Sequence, residues 1–123
     1  NVPLDTFAAL EPNDVLLIDS SHVSRIGSDV NFLMFNVLPI LAPGVVIHFH
    51  DVHWPFEYPL AWVESGLAWN EAYVLRAFLQ HNTAYEILLM NTWVHHHRQE
   101  FLRRLMPLAL KTPGSSLWLV KRG

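Results

Sequence analysis

The stretch "VLLIDSSHVSRIGSDVNFLMFNVLPILAPGVVIHFHD", residues 15–51, decides the fold. Val15-Leu16-Leu17-Ile18 is a short, continuous apolar run that stops at Asp19-Ser20-Ser21-His22. Such a run suits a parallel strand buried on both faces. Ser28 or Asp29 can cap a helix. Val30, Leu33, Met34, Val37, Leu38 and Leu41 then recur at three- and four-residue steps, which gives one apolar stripe. Pro39 should kink or shorten the last turn, and Pro43-Gly44 closes the segment. Val45-Val46-Ile47 is the second buried strand, so the unit is β–α–β with a right-handed crossover between parallel strands.

Working outward, Asn70 to Leu79 reads as a second helix and Tyr85 to Met90 as a third strand. Thr92 to Met106 reads as a short helix or an irregular excursion. Ser116 to Val120 is a final strand, expected to pair antiparallel with its predecessor after the Pro113-Gly114 turn. The predicted architecture is α/β: a single domain over residues 1–123, three-layered, with helices on a mostly parallel sheet.

Composition narrows the function. The chain has 123 residues, enough for one domain; 51% are hydrophobic and 15% charged, which excludes disorder. A formal charge of −3 offers no basic footprint for nucleic acid or an anionic membrane. No apolar run approaches the roughly 18–20 residues of a membrane span. With no cysteine, disulfides and thiolate metal ligands are excluded, and cytoplasm is the default compartment. Residue 1 is Asn rather than Met, so the chain reads as a piece of something longer or a processed product.

In an open α/β sheet, ligands bind beyond the carboxyl ends of the strands. Asp19 and His22 follow the first strand; His50, Asp51 and His53 follow the second. Neighbouring strands would bring these ends within about 4.8 Å, or about twice that with one strand between. His48 shares its expected side-chain direction with His50 and reads as a satisfied core histidine. Trp54-Pro55-Phe56-Glu57-Tyr58-Pro59 reads as an aromatic cover on the core or a wall over a substrate. His95-His96-His97 reads as a solvated stretch, because consecutive helical residues point about 100° apart and cannot share one metal.

The Ile-Asp-x-x-His segment, the following helix, the Leu-x-Pro-Gly turn and the strand ending in His50-Asp51, with "AWNEAYVLRAFLQHN" and the closing "SSLWLVKR", carry a resemblance. Together they are similar to the C-terminal half of a class I S-adenosylmethionine-dependent methyltransferase, of the methyltransferase family 24 type. The resemblance implies a partial Rossmann-like fold holding the fourth to seventh strands. It implies O-methyl transfer to a small-molecule or sugar-like acceptor, without nucleic acid or membrane as partner. Asp19 and Ser20 would then touch the cofactor; Asp19, His22, His50 and Asp51 would carry catalysis; His53, Tyr58 and Glu71 would meet the acceptor. In relatives that use a divalent cation such as Mg²⁺, Asp19 and Asp51 occupy the ligand positions, and His22 or His50 would be the general base. The family's glycine-rich cofactor loop and its ribose-binding acid are not here, and no Gly-x-Gly occurs in the chain. The chain alone is therefore expected to bind cofactor poorly and to be inactive, with activity belonging to a longer parent.

Two further readings stay open at this level. His48-Phe49-His50-Asp51-Val52-His53 resembles in part the His-x-His-x-Asp-His pattern of metal-dependent hydrolases, with a different spacing, and a zinc site would use His48, Asp51 and His53. A half sheet with an exposed edge would instead be a non-catalytic fragment that forms a homodimer through that edge.

Overall fold

The computed structural model describes residues 2–123. Its strands are β1 (Val15–Ile18), β2 (Val46–His50), β3 (Tyr85–Met90) and β4 (Ser116–Lys121). They form one sheet in the order β1-β2-β4-β3. β1 and β2 are parallel neighbours, with Ile18 opposite Phe49. β4 runs antiparallel to both β2 and β3. β1, β2 and β3 thus point one way, and β4 is inserted against them. The expectation of a mostly parallel sheet holds for strand direction. By pairing it is corrected, since β4 touches β2 as well as its predecessor β3.

The crossover from β1 to β2 starts where the sequence places it. Ser28 caps α2 (Asp29–Phe32), its side chain accepting from the Asn31 backbone N–H. The helix then widens into a π turn (Leu33–Val37) and tightens into a 3₁₀ turn (Leu38–Ile40). Pro39 has no N–H to give the Phe35 carbonyl, so the regular ladder cannot continue through it. Val30, Met34, Val37, Leu38 and Leu41 are all buried, as the stripe requires. At the turn into β2, Gly44 has a φ of +91°, and a Cβ there would lie 2.8 Å from Pro12 Cβ. Only glycine fits that close approach.

The remaining helices are α1 (Leu4–Ala8), α3 (Leu60–Glu64), α4 (Glu71–Leu79), α5 (Asn91–His97) and α6 (Gln99–Leu105), with a 3₁₀ turn at Pro107–Leu110. The Thr92 to Met106 region is therefore helical throughout except at a break near Arg98. Among the described residues, no helix is long and apolar enough to cross a membrane.

The core lies on one face of the sheet. Ile18, Ile47, Phe49, Leu117 and Leu119 point there and pack with the crossover stripe and Leu75 of α4. The other face differs. Val15 and Leu17 are 55% and 65% exposed, and Leu89 is exposed as well. Three full layers are thus not built: the strands' second face is left open over β1, although the apolar run of β1 suits burial on both sides.

Candidate functional site

Because β1 and β2 are adjacent and parallel, Asp19 and His50 leave the sheet side by side at its carboxyl edge. His22 has a φ of +57° and Asp51 a φ of +54°. Non-glycine residues seldom hold this left-handed backbone, and such positions gather at functional sites.

His22 is buried, with only 5% of its surface exposed. Its Nδ1 lies 2.8 Å from Glu71 Oε2. Ser20 Oγ accepts from the His22 backbone N–H and donates to Glu71 Oε1 at 2.9 Å. The His22 carbonyl in turn accepts from the backbone N–H groups of Asn70 and Glu71, at the start of α4. Asn70 holds Ser24 through both its backbone-directed amide contacts. The β1–α2 loop is therefore clamped onto the amino-terminal end of α4.

Glu71 is 1% exposed, and burial raises its carboxyl pKa while the hydrogen bonds from His22 and Ser20 work the other way. A buried carboxylate is kept only when it is paired and hydrogen-bonded, and here His22 and Ser20 supply both. With Nδ1 engaged by Glu71, the Nε2 of His22 faces Asp19, whose Oδ1 is 3.5 Å away and whose side chain is 61% exposed. This Asp19–His22–Glu71 relay runs from solvent to the interior. The Trp69 ring lies against the imidazole, centroids 4.1 Å apart.

The second loop is organised separately. Asp51 accepts from the Ser115 hydroxyl at 2.5 Å. His50 Nε2 lies 3.7 Å from Asp51 Oδ1. His53 stands edge-on to Trp62, which stands edge-on to Trp69. An aromatic row thus joins His53 to His22. Tyr58 also meets Trp69, and its hydroxyl accepts from the Ala72 N–H at 2.9 Å. Burial pushes the Tyr58 phenol up to about 12.

Several expectations change here. Asp19, Ser20, His22 and Glu71 come together, but Glu71 is interior and holds His22 instead of facing an acceptor. The Tyr58 hydroxyl accepts from the Ala72 N–H and keeps its own proton to donate. Asp19 and Asp51 have separate partners, His22 and Ser115. Among the described residues, no group of three His, Asp or Glu side chains is arranged to hold a metal ion. The divalent cation at Asp19 and Asp51 is therefore not supported, nor is a zinc site at His48, Asp51 and His53. His48 is not a satisfied core residue either. It lies on the open face between His50 and Trp118, and its buried Nδ1 has no hydrogen-bond partner.

Asp19 and Ser20, the residues expected at S-adenosylmethionine, follow the end of β1. The one glycine in the loop after β1, Gly27, has open space where its Cβ would be. The Ser20 hydroxyl is consumed by its own loop and Glu71. Of Asp19 and Ser20, Asp19 is the exposed one. Trp69, Asn70 and Ser115 lie in stretches that carry the resemblance, but none was read as a site residue. The Trp-Asn-Glu run before a helix is the signal for the first two, and nothing in the sequence marks Ser115.

Residues 3–52 match the family model of a methyltransferase domain. Over these residues the chain is similar to that family. The matched segment carries Asp19, Ser20, His22, His50 and Asp51, while Glu71 and Trp69 lie beyond it. No curated protein and no solved structure matches the chain.

Proposed function

We propose that the chain is the acceptor side of an S-adenosylmethionine-dependent methyltransferase, completed by cofactor-binding elements from a longer protein. The single observation that carries this reading is the 2.8 Å contact of His22 Nδ1 with buried Glu71. A carboxylate on Nδ1 fixes the neutral imidazole with its proton there and leaves the Nε2 lone pair free. Nε2 is the atom that would take a proton from an acceptor hydroxyl. Asp19 stabilises the imidazolium that forms. S-adenosylmethionine would supply the electrophilic methyl group, and this chain's residues supply the base and its orientation. The sheet order and the family match both support the reading.

The test uses the methyltransferase domain that contains this chain. His22→Gln should lower kcat by about a hundredfold, within the usual range for general-base loss. An equal melting temperature would show the variant intact. Undiminished turnover by an intact His22→Gln protein would overturn the assignment.

A further inference from the structure

β3, β1 and β2 share one direction, so the carboxyl end of β3 opens onto the same sheet edge as Asp19 and Asp51. A cavity of about 420 Å³ lies there, walled by Leu89, Phe101, Leu102 and Met106. Its size is within the range of small-molecule sites. α5 completes the wall: Asn91, Val94 and His95 line it, and Arg98 follows the helix's last residue. Three polar side chains break the apolar lining, and of these His95 has its Nε2 3.4 Å from the Leu110 carbonyl. Asn91 Oδ1 is buried and has no hydrogen-bond partner. Arg98 lies over the Trp93 ring at 5.3 Å, and among the described residues it meets no carboxylate at ion-pair distance. Arg103 and Arg122, by contrast, are paired with Glu100 and Glu86.

We propose that this cavity binds an elongated apolar carboxylate bearing a hydroxyl at its far end. The carboxylate would meet the Arg98 guanidinium, and the hydroxyl would donate to Asn91 Oδ1. Asn91 opens α5 and Arg98 follows its last residue, so their backbones stand about 10 Å apart along the helix axis. The two ligand groups must therefore sit at opposite ends of the body, as in a hydroxyaryl alkanoate. An acidic group beside the hydroxyl would leave one of the two protein groups unmet. The buried acceptor favours a hydroxylated ligand because a lone carbonyl oxygen in an apolar wall is costly to leave unpaired. None of this uses His22 or Glu71, so it stands or falls independently of the methyl-transfer reading.

Three probes separate the contributions: 3-(4-hydroxyphenyl)propanoate, 3-phenylpropanoate and tyramine. Calorimetry and methyl NMR of Leu89, Leu102 and Met106 follow binding to the whole chain. The hydroxyaryl propanoate should bind, shifting those methyl signals, and should bind about fivefold more tightly than its deoxy analogue. Tyramine, which keeps the hydroxyl but replaces the anion by a cation, should not bind. Arg98→Gln, a change at an exposed side chain, should weaken both carboxylates about threefold and spare the fold. Equal affinity for tyramine and the propanoates, or shifts confined to residues outside the cavity, would overturn the proposal, as would no binding of any probe at millimolar concentration.

Discussion

His53 holds its Nε2 in the interior without a partner and stands edge-on to Trp62 at 5.1 Å. Burial lowers its pKa from the ordinary 6.5, and the nearby Asp51 charge only partly restores it. A histidine with a depressed folded pKa contributes stability above its unfolded pKa and loses it as pH falls toward the folded one. His48 shifts in the same direction through burial and then through His50. Glu71 acts oppositely: its raised folded pKa means that the folded state gains stability as pH falls toward the ordinary carboxyl range. A difference between variants isolates His53 from these companions. The urea midpoint of the native chain should drop between about pH 7.5 and about pH 5.5 by more than that of His53→Phe. The variant keeps an aromatic ring against Trp62 but has nothing to protonate. Parallel pH curves for the two proteins would rule out His53 as a contributor. The pairing of His22 with Glu71 belongs to this same scale, yet 49 residues separate the two, and no local pattern links them. His22 was legible as a candidate because it follows a strand. Glu71 was read as an acceptor-binding residue, and its hold on His22 was not legible, since that depends on which loop α4 packs against.

The β1–α2–β2 unit was readable because two short apolar runs flank a 3.6-residue stripe with a serine before it and Pro-Gly after it. Ser28 or Asp29 was expected to cap this helix, and the Ser28 hydroxyl does so while also accepting from the Arg25 N–H at 3.2 Å. Two backbone donors thus depend on one small side chain that is 9% exposed. Ser28→Ala should cost about 1 kcal/mol of unfolding free energy, with Ser28→Asp recovering most of it. Denaturant melts of the three proteins check this, and an Ala variant with an unchanged midpoint would contradict it. Other elements were not readable. α1 and α3 have five residues each, too few for a periodic signal, and neither buries a residue. The π turn at Leu33–Val37 escaped because a pattern of apolar steps cannot distinguish a widened turn from a regular one. The irregularity in β3 between Ile87 and Leu89 is likewise a matter of pairing with β4 and has no sequence mark.

At the scale of the whole molecule, the sheet buries one face and presents the other. Leu17, His48, Trp118 and Leu89 lie in register across that open face, and Val15 extends it along β1. β1 pairs only with β2, so its outer backbone groups are unpaired among the described residues. A free strand edge beside exposed aliphatic groups is a ready surface for association. The non-catalytic dimer reading draws on this feature, and a longer methyltransferase domain would cover the same surface. Both lead to one expectation for the chain on its own: self-association that grows with concentration. Leu17 is the best place to probe it, being 65% exposed and absent from the core cluster. Leu17→Lys puts a charge on the open face without opening a cavity, so the melting temperature should hold within a few degrees. Sedimentation velocity over a hundredfold range of concentration should show the native chain shifting to larger species and the variant staying monomeric. A native chain that sediments as a monomer throughout would mean that the open face is satisfied by water alone.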